Sequence, residues 1–184
     1  TAAGVRVHRV SGQVIDAISD AVTPQGVVGV AEMPASTLQD LSRADLVCVL
    51  DEVSDPGNAG TLVRSALAAG AGGVIFSRGC VDPFGAKTVR ASAGTLLRLP
   101  VVRDESLEDA CVALREAGFR IVGTDAEATR SADETDLTGR IALVLGNEAR
   151  GLGPDSRALV DETVRIAMPG PVESLNVAVA GSIL

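Results

Sequence analysis

Short apolar runs alternate with amphipathic stretches along most of the chain. Strands rich in Val, Leu and Ile are predicted for residues 46–50, 73–76, 119–123, 141–145 and 164–168, with a shorter one at 99–102. Helical spacing predicts helices for residues 61–69, 83–93, 106–117 and 154–159, a last apolar helix for 175–184, and an acidic loop for 125–138. Continuous apolar strands that alternate with helices are typical of an α/β fold, in which helices flank a parallel sheet on both faces.

The first thirty residues follow a weaker pattern than the rest of the chain. Residues 5–10 alternate loosely, residues 14–18 have partial helical spacing, and residues 27–31 are predicted as a strand that leads into a larger domain. We therefore expect one α/β domain over residues 31–184, preceded by a separate segment at residues 1–30.

Composition and charge narrow the classes of function. The 184 residues are 46% hydrophobic and only 2% aromatic, and their net charge is −8, so any contact with nucleic acid must come from a local basic patch. One histidine and three separated cysteines predict no zinc site and favour a reduced, cytoplasmic setting. No apolar run approaches the ~20 residues of a membrane span, and we expect neither a membrane anchor nor a signal peptide.

Three short polar motifs follow predicted strands. They are DPGNAGTLVR at residues 55–64, LGNEARG at residues 145–151 and MPGPVESLNVA at residues 168–178. In an open α/β sheet, loops at the carboxyl ends of strands form the ligand site, so we expect these motifs to share one crevice. Backbone N–H groups at a helix start near Ala59 are expected to bind an anion, with Arg64 about one turn further on and leaning back over the site.

The second and third motifs have predicted local roles. Gly146 is expected to let the backbone approach a flat ligand, and Glu148 to cap the following turn. Ser174 is expected to be the N-cap of the last helix, with Asn176 in its first turn.

Each motif alone also fits a purely structural role, as a strand-to-helix turn or a capped helix. A basic cluster of Lys87, Arg90, Arg98 and Arg78 fits a phosphate-contacting face or a solvated helix surface.

Together and in this order, the three motifs resemble those of the SpoU family of RNA ribose 2′-O-methyltransferases, part of the knotted SPOUT superfamily. The resemblance covers residues 46–184. It implies a parallel sheet whose C-terminal segment threads a loop to form a trefoil knot, and S-adenosylmethionine as the cofactor and methyl donor. It also implies a ribosomal or transfer RNA substrate, a homodimer packed through the knot region, and residues 1–30 as the tail of an N-terminal RNA-binding domain.

The resemblance also implies roles for individual residues. Arg64 matches the family's catalytic arginine and Asn58 the asparagine that supports it, and Ser174 and Asn176 match third-motif residues of the active site. The expected cofactor-binding residues are Thr124, Asp125, Leu145, Gly146, Asn147, Glu148, Ile166, Met168, Ser174, Leu175 and Asn176. The expected RNA-binding residues are Arg64, Lys87 and Arg90, and no metal ligands are expected.

Two alternative functions stay open beside this one. A non-catalytic RNA-binding relative would keep the fold but would not need both Arg64 and Asn176. A nucleotide-binding oxidoreductase would need a GxGxxG fingerprint, which Gly57 and Gly60 do not complete.

Overall fold

A computed structural model describes residues 4–19, 21–172 and 174–184 and divides the chain into two units, Thr1–Met33 and Pro34–Leu184. Within its described residues, the first unit has one helix, α1 (Gly12–Ile18), which agrees with the helical spacing of residues 14–18. The strand predicted for residues 27–31 is wrong. Val27 and Val30 are 84% and 100% exposed, so this segment has no buried face to favour strand pairing.

The second unit is built on a parallel sheet, which confirms the predicted α/β class. Its strands are β1 (Leu46–Leu50), β2 (Gly73–Ser77), β3 (Val101–Glu105), β4 (Arg120–Thr124), β5 (Arg130–Ser131), β6 (Ile141–Leu145) and β7 (Glu162–Arg165). Their order is β3-β2-β1-β6-β4-β7-β5, and every pair is parallel. β1, β2 and β6 lie in the interior of this sheet, which explains why their sequences are continuously apolar.

Helices cover both faces of the sheet. They are α2 (Pro56–Ala68), α3 (Ala86–Ala91), α4 (Leu107–Glu116), α5 (Pro154–Leu159) and α6 (Val177–Ile183). Alternate residues of β1 belong to separate cores: Cys48 and Leu50 pack with residues of α2 and α6, whereas Val47 and Val49 pack with residues of α4. A side chain period of two along a strand produces this division.

Several predicted boundaries are wrong for identifiable reasons. Helix α2 begins at Pro56, before the predicted start, because the Asp55 side chain caps it by accepting the Asn58 N–H at 2.8 Å. Helix α3 begins only at Ala86, because the Asp82 side chain accepts the Phe84 N–H at 2.9 Å and holds residues 82–84 in a turn. β5 falls in the segment predicted as a loop, and β7 ends at Arg165, short of Ile166.

Candidate active site

A cavity of about 380 Å³ lies at the carboxyl ends of β4, β6 and β7. Its walls come from residues 124–127, 146–152, 164–168 and the C-terminal segment. The second and third motifs therefore share one crevice, whereas no residue of the first motif, 55–64, lines it. Most of the expected cofactor-binding residues line it: Thr124, Asp125, Gly146, Asn147, Glu148, Ile166, Met168, Ser174 and Leu175. Leu145 does not, because its side chain is fully buried in the core, and Asn176 lies beside the cavity rather than in its wall.

The second-motif loop is closed by its own backbone. Asn147 and Gly151 exchange two backbone hydrogen bonds, of 3.0 and 2.8 Å, in an antiparallel bridge. A Cβ atom on Gly146 would lie 2.3 Å from the carbonyl carbon of Gly151, and Gly151 itself has a positive φ of 62°. The absence of a side chain at Gly146 therefore makes room for the returning chain of this loop, which is a different reason from the predicted approach of a ligand.

Glu148 joins the second motif to the first. Its Oε1 accepts hydrogen bonds from the N–H groups of Asp55 and Ser54, at 2.9 and 3.2 Å, just before α2. The same oxygen accepts a third hydrogen bond from Nδ2 of Asn58 at 3.3 Å. Partial burial raises the pKa of this carboxyl, but the hydrogen bonds from Asp55, Ser54 and Asn58 outweigh it and lower the pKa to about 2. The Glu148 carboxylate is therefore the anion at the start of α2, where a bound anion was predicted. Glu148 was also predicted to cap the turn after the second motif, and it does not do so.

Asn58 and Asn176 join the first motif to the third. The Nδ2 of Asn176 donates to the Oδ1 of Asn58 at 2.9 Å, and the Oδ1 of Asn176 accepts the N–H groups of Ala178 and Val179. Asn176 is therefore the N-cap of α6, and the prediction of Ser174 for that role is wrong. Glu148, Asn58 and Asn176 form a continuous hydrogen-bonded line through all three motifs.

Asp125 is a largely enclosed charged side chain at the cavity, with 8% of its side chain exposed. Its Oδ1 accepts the Glu127 N–H at 3.0 Å. Its Oδ2 is buried and lies 2.7 Å from Nη1 of Arg157, close enough for an ion pair although the geometry makes no hydrogen bond. Sequence reasoning missed Arg157 and Arg165 in the same wall, because no motif contains them, and it assigned no role to Arg150 of the second motif.

Arg64, Lys87 and Arg90 are exposed on α2 and α3 and do not line the cavity. Arg64 is the ninth residue of α2, about 12 Å along the helix axis from its start, rather than one turn as predicted. It lies one turn beyond Gly60 on the same helix face. A Cβ atom on Gly60 would meet Ala91, the last residue of the helix α3 that carries Lys87 and Arg90. The structure thus places the three expected RNA-binding residues on two helices in direct contact.

Within 4–19, 21–172 and 174–184, no group of three or more His, Cys, Asp or Glu side chains is arranged to hold a metal ion. None of the helices in the described part of the chain has the length and apolar character to cross a membrane.

Comparison with models of protein families shows that the three motifs belong to one family. The model described as "SpoU rRNA Methylase family" matches residues 45–184, which contain the whole sheet and all three motifs. The chain belongs to the SpoU rRNA methylase family. The resemblance inferred from the motifs is thereby confirmed. A second model, described as "RNA 2'-O ribose methyltransferase substrate binding", matches residues 1–37 of this family member.

Relatives of known name and structure agree with this assignment. The chain is 34% identical over 181 residues to the 23S rRNA (guanosine(2553)-2'-O)-methyltransferase RlmP of Bacillus subtilis, covering 98% of this chain and 71% of that protein. It is 39% identical over 188 residues to the 23S rRNA (guanosine-2'-O-)-methyltransferase RlmB of Xylella fastidiosa, covering 98% and 76%.

Solved structures of SpoU-type enzymes share the fold. An rRNA methyltransferase from Sinorhizobium meliloti bound to AdoMet, which is S-adenosylmethionine, superposes with a TM-score of 0.86 at 35% identity, over 94% of this chain and 67% of that one. The SpoU methyltransferase AviRb from Streptomyces viridochromogenes in complex with AdoMet gives a TM-score of 0.75 at 39% identity, over 83% and 60%. The chain spans between 60% and 76% of the lengths of these four relatives.

Proposed function

We propose that this chain contains the catalytic domain of an S-adenosylmethionine-dependent methyltransferase that methylates the ribose 2′-hydroxyl of a nucleotide in ribosomal RNA. One observation carries the proposal: the hydrogen-bonded line of Glu148, Asn58 and Asn176 draws the three family motifs together beside a single cavity. Transfer RNA is the alternative substrate. Ribosomal RNA is favoured because it is named for the relatives RlmP and RlmB.

The cavity has the size and chemistry expected for the methyl donor. Its volume of about 380 Å³ falls within the roughly 300–1,000 Å³ of small-molecule sites. Leu152, Val164 and Leu175 supply apolar walls suited to a base, and the buried acceptor of Asp125 suits a sugar hydroxyl. S-adenosylmethionine, when bound, supplies an electrophilic methyl group. The residues proposed to hold it are Thr124, Asp125, Gly146, Asn147, Glu148, Ile166, Met168, Ser174, Leu175 and, beside the cavity, Asn176, whereas the buried Leu145 is left out of this set.

Arg64 is proposed to act through charge rather than as a base. A guanidinium with a pKa above about 12 does not readily accept the proton of a ribose hydroxyl. Arg64 is exposed and makes no hydrogen bond or ion pair with the described residues, so its donors are available to RNA. It would hold the adjacent phosphate and stabilise negative charge that develops on the 2′-oxygen. Asn58 and Asn176, already hydrogen-bonded to each other, would position the reacting nucleotide together with Ser174.

Recognition of the RNA is assigned to a small basic surface. Lys87 and Arg90 project from α3 beside the helix that carries Arg64, in a chain whose net charge is −8. Localised positive charge attracts phosphate even where the whole protein is acidic. Residues 1–30 are proposed to be the tail of an RNA-binding domain, because the substrate-binding family model matches residues 1–37.

We further infer a trefoil knot and a homodimer. β7 pairs with β4 and β5. The helix that follows it, α6, packs instead against α2 and against Leu145 of β6. The chain between β7 and α6 therefore passes beside the 146–152 loop. Threading of that segment through the loop would form the knot. Val179 and Ile183 of α6 are 48% and 58% exposed and offer an apolar face for a second copy. An rRNA substrate and three free cysteines favour a cytoplasmic location.

Transfer of a labelled methyl group tests the proposed function. The chain is incubated with S-adenosylmethionine carrying a tritiated methyl group and with ribosomal RNA from cells that lack the protein. We expect label in RNA, at a linkage that resists alkaline hydrolysis because its 2′-oxygen is blocked. Asn58→Ala should abolish most of the transfer, while Glu116→Gln, on the exposed surface of α4, should leave it unchanged. Binding of S-adenosylmethionine and RNA without any transfer would instead support the non-catalytic relative.

A further inference from the structure

A second cavity, of about 210 Å³, lies at the carboxyl ends of β2 and β3. Phe76, Val81 and Pro83 give it apolar walls, whereas Asp82, Arg103 and Asp104 supply charged groups. None of these six residues belongs to the three family motifs. The volume is below the roughly 300 Å³ at which drug-sized ligand sites begin, so the cavity suits a single flat ring rather than a whole nucleotide.

Arg103 is the most informative residue of this cavity. Its guanidinium carbon lies 5.8 Å from the centroid of the Phe84 ring, within the range of a cation–π contact. Its ion pairs with Asp82 and Asp104 are both long, at 3.9 Å, and its N–H groups make no hydrogen bond with the described residues. With 43% of its side chain exposed, Arg103 offers a planar surface and free donors.

The backbone beside Arg103 departs from regular strand geometry at the border of the second cavity. The pairing of β2 with β3 changes register between Phe76 and Ser77, and Asp104 has a positive φ of 60°. The Nε of Arg78 donates to the Asp104 carbonyl at 3.1 Å and holds this bulge. Bulges and left-handed non-glycine residues are concentrated at functional sites, where they redirect side chains.

The second cavity is placed to contact the same RNA as the active site. Both cavities lie at the carboxyl ends of the strands, and their nearest bordering strands, β2 and β6, are separated only by β1, about 10 Å in strand spacing. The buried Asp51 carboxylate connects the two regions, because it accepts the Ser77 hydroxyl at 2.9 Å and the Ser156 hydroxyl of α5 at 2.6 Å. The exposed Lys87 of α3 follows shortly after the 80–85 loop that borders the second cavity.

We propose that this second cavity binds one nucleobase of the RNA substrate, close in sequence to the nucleotide that is methylated. The inference rests on the proposed function and adds a subsite to it. Unpaired bases stack on guanidinium planes, and the Arg103 guanidinium, backed by the Phe84 ring, provides such a plane. The Asp104 carboxylate offers an acceptor to the polar edge of the base. Asp82 and Asp104 balance Arg78 and Arg103, so the cavity selects a neutral base rather than a phosphate.

Fluorescence anisotropy with two probes tests this subsite. One probe is a labelled single-stranded RNA of alternating adenosine and cytidine, and the other is an abasic ribose–phosphate chain of equal length. The wild-type chain should bind the base-bearing probe about tenfold more tightly. Arg103→Gln, which removes the guanidinium plane, and Phe84→Leu, which removes the ring behind it, should remove most of this preference. Lys87→Gln is the matched control: loss of a phosphate contact should weaken binding of both probes equally.

The outcomes separate this inference from the proposed function. The inference is overturned if the wild type does not distinguish the probes, or if Arg103→Gln weakens binding of both probes equally. Thermal melting of each variant checks that it is folded. Methyl transfer to ribosomal RNA is measured on the same samples. If the wild type methylates ribosomal RNA but binds both probes equally, the base subsite is contradicted and the proposed function is not. If the wild type transfers no methyl group, the proposed function itself is contradicted.

Discussion

Replacement of Glu148 by glutamine tests the connection between the motifs. The wild-type carboxylate accepts hydrogen bonds from the backbone N–H groups of Ser54 and Asp55 and from Asn58. Glutamine has the same shape but only one acceptor oxygen, and its amide N–H₂ group would face N–H donors. The substitution also removes a negative charge from the N-terminal end of α2, where the helix dipole favours one.

The expected loss of stability follows from two independent arguments. Hydrogen bonds to a charged group contribute about 1.5–3 kcal/mol, and charge at a helix terminus about 0.3–1 kcal/mol. A pKa lowered from 4.5 to about 2 corresponds to a ceiling of roughly 3.4 kcal/mol. Because Glu148 is partly exposed, solvent screening reduces both figures, and we expect a loss of about 1–2 kcal/mol. In a domain of this size, that lowers Tm by roughly 2–8 °C.

The measurement is the free energy of unfolding by urea over a range of pH. The folded-state pKa of Glu148 lies below its unfolded value, so its stabilisation is complete above pH 4.5 and is lost as the pH falls from 4.5 towards 2. The difference between wild type and Glu148→Gln should therefore be largest near neutral pH and shrink in acid. Glu116→Gln, an exposed carboxylate on α4, is the control. A constant difference at all pH values, or none at neutral pH, would refute the reasoning.

Three further substitutions follow from close contacts and from Arg64. Gly146→Ala places a Cβ atom 2.3 Å from the Gly151 backbone and so displaces the loop that lines the cavity. Titration calorimetry should therefore show loss of S-adenosylmethionine binding. An unchanged affinity would contradict this account of the loop. Gly60→Ala should destabilise by about 1–3 kcal/mol in urea, despite better helix propensity, because its Cβ atom would lie 2.4 Å from that of Ala91. Gly29→Ala, with open space around it and no positive φ, is the control for both and should be neutral. Arg64→Lys keeps the charge but loses the planar fork, so kcat should fall about tenfold or more, and near-full turnover would show that bidentate geometry is unimportant.

The sequence predicted the sheet best where strands are buried on both faces. Leu46–Leu50 and Ile141–Leu145 agree with their predicted bounds, because a continuous apolar run with polar residues at both ends leaves little freedom. β5 has only two residues, and one is exposed, so it carries no apolar signal. The start of α2 was missed because Pro56 and Gly57 resemble a turn, although proline also suits the first position of a capped helix.

The candidate site was predictable as a set of motifs but not as a set of contacts. The second and third motifs identified part of the cavity lining, at residues 146–151, 168, 174 and 175, and the family comparison confirmed the grouping of the motifs. The bond from Glu148 to Asp55 joins residues 93 positions apart, and no local pattern marks such a pair. Arg157 and Arg103 stand in segments without any motif, so only the fold brings them to their cavities.

A crystal structure of the chain with S-adenosylmethionine tests the central claim most directly. The account predicts the ligand in the cavity between Thr124, Gly146 and Leu175, with the hydrogen bond between Asn58 and Asn176 beside its methyl group. A ligand bound on another face of the sheet, or a vacant cavity in crystals grown at saturating S-adenosylmethionine, would contradict it.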